Sequence, residues 1–134
     1  MPTSFDQGAE SLVLWSKYQA ELSIPEGKTS TRKHLESVRQ SYIAKGASEE
    51  ELKDKFPELY EVEVPVAMMY LKGVFAELHK TRPPGMVGLM PITYQEMLAF
   101  NTLTDQGLTH QDIVIIKRMD AAFLEVINTR EATN

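Results

Sequence analysis

The stretch "PITYQEMLAFNTLTDQGLTHQDIVIIKRMDAAFLEVI", residues 91–127, decides the fold class. Thr93 and Glu96 have the spacing of a capping box, in which two side chains bond the unpaired amides of a first helical turn. The helix that follows is predicted to end at Gly107, and the next is predicted to begin after Thr109. Apolar residues recur at the helical period along the last helix and are expected to face inward: Ile113, Ile116, Met119, Phe123 and Val126 or Ile127. The stretch predicts a closing pair of helices, in outline a helix-turn-helix.

The segment before it, "EVEVPVAMMYLKGVFAELHKT", residues 61–81, continues the helical pattern. Polar and apolar residues alternate only at its start, and Pro65 suits a first helical turn better than a strand interior. Its apolar stripe is too wide for an exposed helix, so we expect a central one. The stripe contains Ala67, Tyr70, Leu71, Val74, Phe75 and Leu78. The core that joins this helix to the closing pair is predicted to contain Phe75, Leu78, Phe100, Leu103, Met119 and Phe123.

Helix signals also mark the first half of the chain. Ser30 or Thr31 caps a helix that is predicted to end at Gly46. Ser48 and Glu51 form a second capping box, which opens a short acidic helix. The sequence therefore predicts an all-α fold, a small single-domain helical bundle of five or six helices that closes with a helix-turn-helix-like hairpin.

The first helix, about residues 6–22, is separated from the rest by a linker that contains Pro25 and Gly27. We expect residues 1–28 to form an N-terminal helix and linker that dock loosely, and residues 29–134 to form the helical domain.

Composition excludes several classes of site. The chain of 134 residues has no cysteine, so it has neither a disulfide framework nor a thiolate metal site. The three histidines, His34, His79 and His110, lack the spacing that chelates zinc, and no catalytic, cofactor or metal site is predicted. A net charge of −5 argues against nonspecific nucleic-acid binding. No apolar run approaches the ~18 residues that span a bilayer, and no secretion signal is expected at the N-terminus.

A G-x-x-G tetrapeptide, Gly85 to Gly88, follows Lys80 and Arg82. A phosphate-binding P-loop needs a lysine after the glycines and a buried strand before them, and neither is present. The G-x-x-G clamp of KH domains needs a sheet beside its helices, and this sequence offers hardly any strand. We interpret the segment as a hinge between two helices. Glu77 beside Arg82 is predicted to form an interhelical ion pair.

Charge is unevenly distributed. Residues 26–45 contain five basic residues and two acids, and residues 49–63 contain seven acids and two lysines. Such blocks usually solvate a surface, and less often they mark a partner surface. The acidic candidates for partner binding are Glu49, Glu50 and Glu51.

Aromatic and methionine side chains supply the other candidates for partner binding. Trp15 and Tyr18 lie on the first helix, which is expected to exchange with a partner's helix. Methionine side chains adapt to varied apolar partners, and the candidates near the central helix and the hinge are Met68, Met69, Met86 and Met90. The alternative, that these methionines fill the core, stays open.

Several motifs between about residues 31 and 127 resemble the small tail assembly chaperones of tailed bacteriophages. They are "FAEL" (75–78), Arg82 in a Pro/Gly loop, "PITYQEM" (91–97), "LT" (103–104) and "RMDAAFL" (118–124). Each motif is short, and the resemblance rests on their order and spacing. Similar proteins tend to carry tryptophans where this chain has Met69, Tyr70 and Leu71, and the first 28 residues have no counterpart.

The resemblance implies a non-enzymatic protein of the host bacterial cytoplasm. Similar proteins bind the phage tape measure protein, keep it soluble and help to recruit tail tube subunits. The implied partners are therefore the tape measure protein, the tail tube protein and a longer frameshifted form of the chain itself. No membrane or nucleic-acid partner is expected.

Two other functions remain as hypotheses. A small acidic phage protein can bind and inhibit a host factor, and the block from Glu49 to Glu63 would then be the contact. Gene position between the tail tube and tape measure genes favours the chaperone over the inhibitor. The closing hairpin also allows a helix-turn-helix DNA-binding regulator, although the recognition helix would enter with Asp112 while Lys117 and Arg118 lie well past the entry.

Overall fold

A computed structural model describes the backbone of residues 4–82 and 89–133, and the side chains of residues 5–82 and 89–129. The described chain contains six α-helices: α1 (Ser4–Ser23), α2 (Thr31–Ala44), α3 (Glu49–Lys55), α4 (Tyr70–Lys80), α5 (Tyr94–Thr104) and α6 (His110–Thr133). Two 3-10 turns cover Pro57–Leu59 and Val66–Met68. The described ranges contain one sheet, the two-stranded hairpin β1 (Pro25–Glu26) and β2 (Thr29–Ser30). The predicted all-α class is confirmed.

Side-chain caps open the helices at the predicted residues. Ser30 accepts a hydrogen bond from the Lys33 amide at 3.2 Å, and Ser48 accepts one from the Glu51 amide at 3.2 Å. Thr93 does the same for the amide of Glu96 at 3.1 Å. Each cap satisfies an amide that the first turn leaves unpaired, so these starts can be read from sequence.

One predicted helix end is wrong. α2 ends just before Gly46, whose φ of +87° is the left-handed conformation expected after a helix. α5, however, ends at Thr104, and the left-handed residue that follows it is Asp105 with φ +52°, two residues before the predicted Gly107. Aspartate tolerates the left-handed region better than most residues. Gly107 also has a positive φ of +72°, but it lies in the turn that leads to α6.

The core is built from α1, α4 and α6. α1 and α6 make the most extensive helix–helix contact, and α4 packs on α6 and contributes Leu71, Val74, Phe75 and Leu78 to the core. The fully buried apolar side chains include Leu12, Leu71, Leu78, Ile92, Met97, Ile115, Ile116 and Met119. Burying each contributes about 1.5–3 kcal/mol, so the sum over three helices forms the main stabilising term of the domain.

The predicted core is correct for four of its six members. Phe75, Leu78, Met119 and Phe123 are buried in one cluster, and Phe100 is partly buried against it. Leu103 was wrongly placed there, because its side chain is 84% exposed.

The cause is the orientation of α5. This helix turns Met97 inward, 1% exposed, and Leu103 lies six residues later, roughly 240° further around the helix axis. Leu98, the next residue after Met97, is likewise exposed.

The start of the central helix also differs from the prediction. Pro65 precedes the short 3-10 turn Val66–Met68, and α4 itself begins at Tyr70. Ala67 and Tyr70, expected on the buried stripe, are exposed. The 3-10 turn has a tighter period than an α-helix, so it breaks the predicted stripe: Met68 is buried there and Ala67 is not.

α1 lies along α6 in the described conformation. Leu12 and Ser16 are fully buried, and the Ser16 hydroxyl donates to the Val13 carbonyl oxygen at 2.7 Å, which satisfies it without a partner from another helix. The domain boundary at residue 28 and the loose docking of α1 stay predictions.

α2 and α3 form an outer layer. α2 buries none of its residues, whereas Leu52 of α3 and the adjacent Phe56 are buried. The ring of Phe56 lies 5.5 Å from that of Tyr42 on α2, centre to centre. This small second cluster holds the outer layer together outside the main core.

Candidate partner-binding surfaces

A buried ion pair joins the end of α4 to α6. The Arg82 guanidinium donates to a carboxylate oxygen of Asp120 at 2.6 Å, and the two side chains are 1% and 3% exposed. Arg82 also donates to the Met90 carbonyl oxygen at 2.6 Å, and Asp120 accepts from the Ile92 amide at 2.9 Å. Both charges are therefore compensated by further hydrogen bonds, as a buried pair requires.

This geometry corrects the predicted pair of Glu77 and Arg82. Glu77 instead bonds Lys80 one turn along the same helix, at 3.2 Å on the exposed face. Arg82 follows the last turn of α4 and points into the interior, where Asp120 is the carboxylate within reach. The prediction paired Arg82 with a carboxylate close to it in sequence, whereas Asp120 lies on another helix.

His79 lies beside the ion pair. Its Nδ1 accepts a hydrogen bond from Arg82 Nε at 3.2 Å, and its ring lies 4.7 Å from that of Phe123. Burial lowers the pKa of His79 below its usual value, the Arg82 charge lowers it further, and Asp120 partly opposes both. The neutral ring with Nδ1 as acceptor fits the site, and a protonated ring would face a second cation.

The backbone of Ile92 is held by α6 at both of its polar atoms. Its amide donates to Asp120, and its carbonyl oxygen accepts from the Lys117 ammonium at 2.9 Å. The Ile92 side chain is fully buried. The segment that leads into α5 is thus fixed on α6 by two side chains one turn apart.

A mostly apolar groove of about 410 Å³ opens beside this fixed segment. It is lined by Met90, Pro91, Ile92, Thr93, Tyr94 and Lys117. The Lys117 ammonium lies 4.7 Å from the centre of the Tyr94 ring, a cation–π distance.

Large apolar side chains are exposed along α5 and near the groove. Tyr94 is 66% exposed and Leu98, one turn later on the same face, is 67% exposed. Met90 at the groove and Val114, one turn before Lys117 on α6, are also exposed. Together they are termed the α5 apolar surface: Met90, Tyr94, Leu98 and Val114.

The candidate methionines do not share one surface. Met68 is buried, and Gly8 of α1 has no room for a side chain because the Met68 sulfur occupies that space. Met69 and Met90 are about half exposed. Met86 lies outside the described residues, as does the G-x-x-G hinge at residues 85–88. Partner binding by these residues stays a prediction.

Tyr70 and Asp112 connect α4 with the start of α6. The Tyr70 hydroxyl donates to Asp112 at 2.5 Å, and the other Asp112 oxygen accepts from the Thr109 amide at 2.9 Å. Burial, followed by the hydrogen bond to Asp112, raises the pKa of Tyr70 to about 12. Asp112 is buried in this network, so its carboxylate is not available at the entry of the closing hairpin to contact a base edge.

The aromatic candidates on α1 are partly buried. Trp15 packs edge-on against Phe75 with ring centres 6.1 Å apart, and the Lys72 ammonium lies 5.8 Å from its ring. Burial raises the pKa of Tyr18, and the charges of Glu58 and Glu21 raise it further. Contact of Trp15 with a partner would require at least part of α1 to move, and this role also stays a prediction.

The acidic candidates Glu49, Glu50 and Glu51 are exposed in the first turn of α3. Carboxylates at this end of a helix are stabilised by the helix dipole. Glu49 also pairs with Arg39 of α2 at 3.9 Å. Their arrangement therefore has a structural explanation, and their role in partner binding stays a prediction.

The described side chains offer no group of three or more histidine or acidic residues that could hold a metal ion. In the same part of the chain, no helix combines the length and the apolar character needed to cross a bilayer.

The ion pair joins two residues of the motifs that carry the resemblance, Arg82 before the Pro/Gly segment and Asp120 of "RMDAAFL". Residues 48–125 match the family described as phage tail assembly chaperone, and this match covers more than half of the chain. The chain belongs to that family. The matched range of the chaperone begins at the cap of α3, so α1 and α2 lie outside it.

Neither a curated protein nor a solved structure matches the chaperone. The family is non-catalytic and its members interact with tail proteins. Local sequence reasoning missed the pairing of Arg82 with Asp120 and the exposed face of α5. The occurrence of both charged residues within the family motifs was the signal that could have indicated the pair.

Proposed function

We propose that this chaperone binds the tape measure protein of its phage in the host cytoplasm and assists tail tube assembly. The observation that supports this best is the α5 apolar surface. Soluble monomers seldom expose several large apolar side chains close together, and such surfaces usually bind a partner. A helix-rich partner with amphipathic segments is the class that the surface fits.

The geometry of α5 explains why the surface is available. Met97 alone of its large apolar residues is fully buried, so Tyr94, Leu98 and Leu103 contribute little to the core. Exposed side chains that do not stabilise the fold can be selected for binding. Met90 adds a flexible thioether that adapts to more than one partner sequence.

Co-expression with the tape measure protein, followed by pulldown, tests the proposal. The wild-type chain is expected to capture the tape measure protein and keep it in the soluble fraction. The double variant Tyr94→Ser and Leu98→Ser should reduce capture by about tenfold, because it removes two neighbouring exposed side chains of the surface without creating a cavity.

Ile43→Ser is the matched control, since it removes an exposed aliphatic side chain from α2, outside the family match. Thermal melts should show all variants folded. Failure of the wild-type chain to retain the tape measure protein would refute the proposed function. Equal loss in the control and the double variant would refute the role of the α5 apolar surface.

A further inference from the structure

Lys117 is a partly buried cation at the wall of the apolar groove. Its ammonium has three donors, of which one bonds the Ile92 carbonyl oxygen. The face of the Tyr94 ring lies 4.7 Å away and supplies only a weak attraction. Among the residues whose side chains are described, none forms an ion pair with Lys117. The groove thus combines an apolar lining with a positive charge that lacks a carboxylate.

We propose that this groove binds an acidic amphipathic helix of the partner. A large apolar side chain of that helix enters between Met90, Pro91 and Tyr94. An Asp or Glu one turn away pairs with Lys117. The inference rests on the proposed function and assigns to it a defined contact and a class of partner segment.

The charge decides between possible occupants. A helix that covers the groove also removes water from Lys117, and an ammonium without water or a carboxylate is strongly disfavoured. A neutral helix leaves that cost unmet, and a basic helix adds repulsion. An acidic helix compensates the charge and gains a bond that strengthens as water leaves.

The dimensions of the groove fit one large side chain and its neighbours. A volume of about 410 Å³ lies in the range of sites that enclose small ligands. Tyr94 provides a rigid wall, and Met90 provides one that adapts to the shape of the entering side chain. Ile92 and Thr93 are held in place by α6 and by the cap of α5, so the groove is largely preformed.

A designed peptide is the probe. It has about five helical turns, a leucine stripe and glutamates beside the stripe, and its matched partner has glutamine at those positions. Methyl NMR of the full chain with labelled methionines locates binding, because Met90 lines the groove and Met119 is buried in the core. The acidic peptide is expected to shift the Met90 methyl signal and leave that of Met119 in place.

Two protein variants measure the charge contribution. Lys117→Gln should lower the affinity for the acidic peptide about fivefold and change the affinity for the glutamine peptide by less than about twofold. Arg118→Gln removes the same charge from the next, exposed residue of α6 and should leave both affinities unchanged.

Several results would overturn the proposal. These are no shift of Met90 at millimolar peptide, equal loss in the two variants, or equal loss for the two peptides with Lys117→Gln. A Met90 shift that grows with protein concentration alone would assign the groove to a second copy of the chain. If the peptide binds but the tape measure protein is not captured, the proposed function is refuted and the assignment of the groove as a binding site stands. If Lys117→Gln leaves capture of the tape measure protein unaffected and the peptide does not shift the Met90 signal, the proposed function stands and the assignment of the groove is refuted.

Discussion

Asp120→Ala is expected to destabilise the domain by about 3–5 kcal/mol, the range measured when one member of a buried ion pair is removed. The substitution leaves the Arg82 guanidinium, 1% exposed, without its carboxylate. It also leaves the Ile92 amide without an acceptor. Since domains of this kind have a total stability of about 5–15 kcal/mol, one substitution would remove a large part of it.

Two further variants separate the charge from the hydrogen bonds. Asp120→Asn keeps the size and one acceptor oxygen, so we expect a smaller loss of about 1.5–3 kcal/mol. The double variant Arg82→Met and Asp120→Leu replaces both charges with apolar side chains. It should be more stable than Asp120→Ala, because no uncompensated charge remains buried. With the single variants Arg82→Met and Asp120→Leu included, the coupling free energy between the two positions should be about 2–3 kcal/mol.

Urea unfolding followed by tryptophan fluorescence measures these values. Trp15 is the one tryptophan of the chain, and its contact with Phe75 makes its emission sensitive to loss of the core. Should Asp120→Ala lack a folded baseline, Asp120→Asn and the double variant still compare a partly retained network with one in which no charge is buried. A loss below about 1 kcal/mol for Asp120→Ala would show that the pair does not hold residues 89–92 on α6, and the reasoning would fail.

Three other predictions follow from the same structure. Phe123→Ala should lower the free energy of unfolding by about 3–5 kcal/mol, measured by thermal or urea unfolding, because the ring is buried beside that of Phe75. A variant that melts like the parent yet fails to bind the partner would assign the ring to the binding surface. Charge reversal at each residue of Glu49–Glu51 should change stability by less than about 0.5 kcal/mol. It should reduce capture of the partner in the pulldown if the acidic block is a contact, and unchanged capture would remove the block from the candidates. The pKa of His79 in the folded state is below its ordinary value of 6.5, so its contribution to stability is complete above pH 6.5 and is lost as the pH falls through the folded pKa. His79→Gln should therefore flatten the curve of stability against pH in that range, and an unaltered curve would contradict this.

The local features of the fold could be predicted from sequence. Ser30, Ser48 and Thr93 act within three residues of their own positions, so the caps depend on little else. The family could be predicted as well, because the order of its short motifs is itself a property of the sequence.

The features that depend on helix orientation could not be predicted in the same way. α5 contains apolar residues on more than one side, and its packing in the folded domain turns Met97, rather than Leu98 or Leu103, into the core. The partner of Arg82 lies 38 residues away on another helix, and no helical period connects the two. The groove at Lys117 likewise forms from two separate segments, so its residues were not recognised as a site.

The attachment of residues 90–92 to α6 has a consequence for how the family can diversify. Arg82 before the Pro/Gly segment, and Met90 and Ile92 after it, are held by contacts that the intervening residues do not make. The ends of that connection are therefore fixed whatever lies between them. Doubling the length of such a connection costs only about 0.6 kcal/mol. A phage can thus insert or exchange residues in the sequence between Arg82 and Met90 without redesigning the core.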